Sequence, residues 1–249
     1  MSLIDTHCHI HESDYPLPIA DVLLKARQAG VEKIICVGTS EQSSADAITL
    51  AGQHDTIIAA VGVHPHDTKD GYGQVAELAK QERVIAVGEI GLDYYYSYSL
   101  REVQIQALES QIQTALDNNL PIIFHVREAF EDFWPVFDNF KGIKGELHSF
   151  TDTQIHLDKA FERGLYVGVN GISTFTKDEA QQKLYAAIPL ERMLLETDAP
   201  FLTPSPYRGT INEPAFVSEI AKHHAAIRGV GIETIATATT TNANALFTI

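Results

Sequence analysis

The feature that most limits what this chain can fold into is a series of short apolar runs, evenly spaced, with helical patterns between them. The runs are Leu3–His7, Lys33–Val37, Ile57–Val63, Val84–Glu89, Pro121–His125, Gly145–His148, Leu165–Val169 and Met193–Asp198. They are apolar throughout, without the period-two alternation of a half-exposed strand, as parallel strands covered on both faces read. Between them, Ile19, Val22, Leu23 and Ala26 recur at helical spacing, with Gly30 where a helix C-cap belongs. Val103, Leu108, Ile112, Ala115 and Leu116 mark a longer helix. Phe130, Phe133, Trp134 and Phe137 mark a shorter aromatic one, whose stripe reads as core rather than as a platform for bases. Two more helices are expected over 213–228 and 232–247. Eight strands alternating with helices predict an α/β fold, the (β/α)8 or TIM barrel. A doubly wound open sheet is the rival, but no G-x-G-x-x-G follows an early strand. With no repeat, low-complexity tract or linker, residues 1–249 are expected to form a single domain.

At 249 residues and 45% hydrophobic content the chain can bury a full core. No run of about 18 apolar residues is present, so no membrane span is expected. The N-terminus lacks the basic segment and apolar core of a signal peptide. Cys8 and Cys36 suggest no disulfide framework, and a cytoplasmic location is the simplest expectation. The formal net charge of −15 is at odds with extended duplex binding, which calls for a basic stripe. A phosphate-bearing substrate would need bound cations and local arginines to offset the repulsion. A strand end or a small molecule fits that balance better.

The chemistry gathers at the strand ends. Leu3 and Ile4 lead into His7-Cys8-His9, and the period of two puts His7 and His9 on one strand face, able to grip one cation. Later runs end at Glu89, His125, His148 and Asp198. In a barrel such ends converge on one mouth, where active sites lie. Four imidazoles and two carboxylates exceed one four-coordinate ion and suit two ions about 3.5–4 Å apart. Imidazole-rich ligation favours Zn²⁺ or Mn²⁺, with Mg²⁺ serving under assay conditions.

Several blocks together carry a family resemblance. They are Asp5-Thr-His-Cys-His9, Gly62-Val-His-Pro-His66, Val87-Gly-Glu-Ile-Gly-Leu-Asp-Tyr94, Pro121-Ile-Ile-Phe-His-Val-Arg127, Leu195-Glu-Thr-Asp-Ala-Pro200, Arg208-Gly, Asn212-Glu-Pro214 and the tail Thr239–Ala243. In these the chain resembles the TatD-like metal-dependent deoxyribonucleases of the amidohydrolase superfamily. The resemblance implies a distorted TIM barrel holding two divalent ions, one on the positions matching His7, His9 and Asp198. The second would sit on those matching His125 and His148, with Glu89 bridging. It also implies phosphodiester hydrolysis, commonly from a DNA 3′ end. His64 and His66 match residues that line the pocket rather than bind metal.

Within that frame Glu89 and Asp198 are the expected catalytic carboxylates, Asp198 as general base. Arg127 and Arg208 are the cations suited to a substrate phosphate, Arg127 alternatively bracing a carboxylate. Asp93 and Tyr94 are expected to orient ligands by hydrogen bonds. Asn212 and Glu213 are read as loop anchors, His11 as having left the mouth, and His54, His156, His223 and His224 as surface groups. The chain departs from the family in His148-Ser-Phe-Thr-Asp152, where a turn glycine is missing, and in Tyr95-Tyr-Ser-Tyr-Ser-Leu100. That tyrosine-rich rim either stacks on a base or is an amphipathic loop. The competing activity is hydrolysis of a small ester, lactone, amide or phosphoester, or of the ester bond of a D-aminoacyl-tRNA. No protein partner is expected, and a monomer is favoured over an oligomer.

Overall fold

A computed structural model describes residues 2–249. Strand β1 (Leu3–Cys8) is followed by α1 (Ile19–Gln28), β2 (Val31–Val37), α2 (Glu41–Gln53) and β3 (Ile57–Val61). The single-turn helix α3 (Val75–Leu78) precedes β4 (Val84–Asp93), α4 (Arg101–Asp117), β5 (Ile122–Arg127) and α5 (Phe130–Asp138). Next come β6 (Gly145–Leu147), α6 (Gln154–Glu162), β7 (Tyr166–Val169), α7 (Ile172–Phe175) and α8 (Glu179–Ala187). Finally β8 (Met193–Leu195) is followed by α9 (Val217–Arg228) and α10 (Ile232–Phe247). The strands form one eight-stranded sheet in sequence order. The pairs β3–β4, β4–β5, β5–β6 and β7–β8 are parallel. Parallel neighbours joined through helices make this the expected (β/α)8 barrel, with the distortion visible in very short β6, β7 and β8.

Several boundaries differ from the sequence expectation, each for a local reason. β4 runs four residues past Glu89, because its register against β5 slips between Val87 and Ile90 and the ladder then resumes. β8 stops at Leu195 rather than Asp198: beyond it only an isolated bridge joins Ala199 to Cys8, and Asp198 turns into the left-handed region at φ 60°. The helix expected from 213 begins at Val217, since Pro214–Phe216 forms a 3-10 turn. Among the described residues no helix is long and apolar enough to cross a membrane.

The chain divides into two compact units, one made of residues up to Ile35 together with Ser149–Ile249, the other of Cys36–His148. In the second, Ala60, Val61, Ala86, Val87 and Phe124 are fully buried strand residues. Against Phe124 pack Phe133 and Phe137 of α5, with ring centroids 5.1 and 5.8 Å away. The aromatic stripe is therefore core; burying each such ring is worth about 1.5–3 kcal/mol. In the first unit Leu3, Val167, Leu194 and Leu195 of the strands are buried, as are Ile220 of α9 and Ile235 of α10.

Candidate metal centre

In the first unit, backbone pairing brings two separated segments together. The Asp198 amide donates to the His7 carbonyl at 2.8 Å, and the His9 amide to the Ala199 carbonyl at 2.7 Å. This fixes Asp198 beside the β1 tail. His7 and His9 lie on one strand face, as period two requires, with their Nε2 atoms 3.2 Å apart. Asp198 Oδ1 is 3.4 Å from His9 Nε2 and 3.8 Å from His7 Nε2. Below them lies Asp5, fully buried, whose carboxyl accepts hydrogen bonds from the Thr197 amide at 2.8 Å and the Thr197 hydroxyl at 2.6 Å. Burial pushes Asp5 up to about 8, against the pull of the Thr197 hydrogen bonds. Asp5 thus clamps the 197–199 segment against β1.

A further buried carboxylate, Glu196, accepts from the Ser149 amide at 2.7 Å and from Asn170 Nδ2 at 3.2 Å. It fits because Gly168 has no side chain; a Cβ there would collide with the Glu196 carboxylate. Sequence reasoning passed over Glu196, although a charge inside a Leu-Leu-Glu-Thr run is itself a signal of a hidden partner.

In the second unit the irregularity of β4 sets the geometry. Glu89 sits at the register slip, where an irregular ladder re-aims a side chain, and its amide donates to the Gly38 carbonyl at 3.1 Å. Its Oε2 lies 3.0 Å from His148 Nε2 and 3.5 Å from His125 Nδ1. Gly91, two residues on, has to be glycine, because a Cβ would drive into the His125 carbonyl. His125 uses its other nitrogen on Asp93, Nε2 to Oδ2 at 3.1 Å, which leaves Nδ1 toward Glu89. Burial pulls the His125 imidazole down, but the Asp93 and Glu89 contacts outweigh it and the net direction is up. Asp93 is raised by burial, then carried down to about 2 chiefly by its hydrogen bond to His125. Asp93 is therefore held against His125 by one carboxylate oxygen.

His66 Nε2 also lies 3.0 Å from Asp93 Oδ2, and the His64 ring packs edge-on to both His66 and His125 at 4.3 Å. Burial, with the His125 charge added, holds His64 well below the usual histidine range. His64, Asp93 and His125 together offer a third set of donor atoms within 4.8 Å of one another. His64 thus packs directly against the candidate ligand His125.

Two glutamines hold this arrangement from α4. Gln104 accepts from the Asp93 amide at 2.9 Å and donates to the carbonyls of Asp93 and Ser99, both at 3.1 Å. Gln111 accepts from the Val63 amide at 2.7 Å and donates to the Val63 carbonyl at 3.2 Å, fixing the chain just before His64. Both are buried. They were missed in the sequence, yet their spacing of two helical turns on the apolar face of α4 was a readable sign.

The remaining expected residues take other partners. Arg127 is exposed and caps the rings of Tyr95 and Tyr96, its guanidinium carbon 3.8 and 5.4 Å from their centroids. Arg208 donates to the Thr203 carbonyl at 2.7 Å and lies 3.8 Å over Phe175. Tyr94 donates its hydroxyl to Asp132 at 2.7 Å, and Arg101 pairs with the same carboxylate. Asn212 donates to the Thr197 and Phe201 carbonyls, and Glu213 pairs with Lys25 at 2.9 Å, both acting as loop anchors. The expectation for His224 is overturned. It is fully buried, with Nε2 3.1 Å from the Ser173 hydroxyl, because it lies on the inward stripe of α9 with Ile220 and Ala221.

Donors about 2.1 Å from one ion sit about 3.4 Å apart at the corners of a tetrahedron and about 3.0 Å apart along an octahedral edge. Among His7, His9 and Asp198, the separations of 3.2 and 3.4 Å fall within that range and the third, 3.8 Å, is a few tenths of an ångström longer. The 3.0 and 3.5 Å around Glu89 Oε2 lie at its two ends. Neutral imidazole and carboxylate are the donor types a divalent transition ion takes. Both clusters fit such an ion.

A family profile described as TatD related DNase matches residues 4–248. The chain is 35% identical to the metal-dependent hydrolase YabD of Bacillus subtilis over 253 residues, 99% of each chain. It is 35% identical over 240 residues to the 3′-5′ ssDNA/RNA exonuclease TatD of Erwinia tasmaniensis, covering 92% of this chain and 93% of the other. In three dimensions it is similar to the TatD homologue YjjV of Escherichia coli, with a TM-score of 0.91 and 28% identity, covering 99% of this chain and 98% of the other. With its barrel and its histidine–carboxylate clusters, the chain belongs to the TatD-related DNase family and is a metal-dependent hydrolase.

Proposed function

We propose that the protein hydrolyses phosphodiester bonds at the 3′ end of single-stranded nucleic acid, DNA foremost, with two divalent cations. One ion would be held by His7, His9 and Asp198, the other by His125 and His148, with Glu89 shared. The observation that carries this reading is the pair of clusters, each with a carboxylate oxygen 3.0–3.5 Å from an imidazole nitrogen. Strand C-termini, where these ligand candidates fall, are where the active sites of (β/α)8 barrels lie. Bound cations supply charge neutralisation on phosphoryl oxygens and make an attacking water acidic.

The chain's own side chains do the rest. Asp198, which keeps 15% side-chain exposure, takes the water's proton. Asp93 keeps His125 presenting Nδ1, and His64 and His66 are the groups for the phosphate or leaving oxygen. Arg208 would reach a phosphate only by leaving Phe175. The net charge of −15 restricts binding to a strand end rather than a long duplex. Zn²⁺ or Mn²⁺ is favoured over Mg²⁺ for imidazole-rich donors.

The test is incubation of 5′-labelled single-stranded DNA with the protein and Mn²⁺ or Mg²⁺, beside an EDTA control and a panel of chromogenic esters and phosphodiesters. Stepwise shortening from the 3′ end, abolished by EDTA, is expected. Intact DNA with ester or lactone turnover would overturn the nuclease reading in favour of a small-molecule hydrolase. Asp198→Asn, assayed at Mn²⁺ concentrations that keep both ions bound, is expected to lose at least about a hundredfold in kcat; near-normal turnover would remove Asp198 as the base.

A further inference from the structure

Resting on the nucleic-acid reading above, we infer that the loop after β4 is a stacking subsite for an unpaired nucleobase, formed by Tyr96 and Tyr98. Three tyrosines in four residues, Tyr95, Tyr96 and Tyr98, stand 52%, 39% and 57% exposed. An exposed aromatic cluster of this kind is a feature of binding surfaces. It is also built. Tyr96 and Tyr98 stack on each other at 5.3 Å with planes 15° apart. His66 braces both from the edge, at 5.3 and 5.0 Å. Tyr95 stands perpendicular to Tyr96 at 4.7 Å, and its ring carries the Arg127 guanidinium at 3.8 Å.

The loop's root is tied to the candidate centre. Asp93 Oδ1 accepts from the amides of Tyr95 at 2.9 Å and Tyr96 at 3.2 Å, while Oδ2 of the same carboxylate faces His125 and His66. The far end is held too: the Ser99 hydroxyl donates to the His66 carbonyl at 2.7 Å, and its carbonyl accepts from Gln104 at 3.1 Å. An ordinary amphipathic loop needs no such fastening. The rings are thus presented in a fixed place beside His66 rather than left to roam.

Charge points to the occupant. The chain has only 18 Lys and Arg against 33 Asp and Glu, yet two of its cations lie over these rings, Arg127 on Tyr95 and Lys69 at 6.0 Å from Tyr98. Aromatic faces interleaved with cations are how proteins hold single strands, bases on the rings and phosphates on the cations.

The experiment uses the Mn²⁺-loaded protein and two 3′-phosphorothioate oligonucleotides resistant to cleavage, one intact, one abasic at its last two positions. Binding is read by fluorescence anisotropy, and KM and kcat are taken in parallel on cleavable DNA. The wild type is expected to bind the abasic strand about tenfold more weakly, as loss of one stacked base predicts. The Tyr96→Ala/Tyr98→Ala variant is expected to bind both strands alike, with the loss on DNA falling on KM more than on kcat. Tyr98→Phe, which keeps the ring, is expected to restore discrimination. If the double variant still discriminates, or the wild type never does, the subsite is overturned while 3′ cleavage can stand. If base-dependent binding is lost in the variant but no protein cleaves DNA, the nuclease reading fails and the subsite stands.

Discussion

Replacing Gln104 by leucine removes the support of the Asp93 backbone without altering any candidate donor atom. The side chain is 1% exposed and makes three hydrogen bonds, two of them to the backbone of Asp93. At about 1 kcal/mol net per bond, with the Asp93 N–H left buried and a partial return from the apolar leucine, the cost is about 2–3 kcal/mol. For a chain of this length that corresponds to about 4–12 °C in Tm. Asp93 in turn holds His125 at 3.1 Å, so the Mn²⁺ affinity is expected to fall about 10–100-fold, the usual effect of losing a group that orients a ligand. Differential scanning calorimetry of the metal-free and metal-loaded protein reads the first effect, and Mn²⁺ titration with kcat on a phosphodiester reads the second. A Tm within 2 °C of wild type would refute the hydrogen-bond account. A lowered Tm with Mn²⁺ affinity and kcat unchanged would refute the positioning role and leave Gln104 a purely structural residue.

Other outcomes follow from single residues. His224 is buried beside His223 and Arg228, and burial first, then those charges, lowers it to about 3. Its ordinary value is 6.5, so above that pH neither state binds the proton; below it only the unfolded chain does, and stability falls as pH drops from 6.5 toward 3. His224→Gln is expected to remove about 2 kcal/mol of acid destabilisation at pH 5, read by urea unfolding at pH 7 and 5; equal pH slopes would contradict this. Gly91→Ala is expected to cost at least about 3 kcal/mol and to weaken metal binding, because the new methyl drives into the His125 carbonyl; an unchanged urea midpoint would contradict it.

The strands were legible because chain buried on both faces by helices leaves long apolar runs, and the candidate ligands because each follows such a run. His7, His9 and Asp198 could be grouped from those positions together with the family resemblance. What the pattern could not carry was contact between polar groups distant in sequence. Gln104 and Gln111 look like ordinary helix residues until the backbone of β4 and of the chain after β3 meets them. The continuation of β4 to Asp93 depends on a register slip, which no local composition announces. Arg127 and Arg208 were chosen as phosphate cations by type, but each lies against an aromatic ring, a choice that packing makes and spacing does not show. The buried position of His224 was overlooked because its neighbour His223 and the nearby Lys222 make the stretch look polar.

The most direct measurement is anomalous diffraction from crystals grown with Mn²⁺, paired with elemental analysis of the protein in solution. Two ions per chain are predicted, one on His7, His9 and Asp198, the other on His125 and His148, with Glu89 ligating both. A single ion, or two ions with His125 and His148 left out of the coordination, would contradict it.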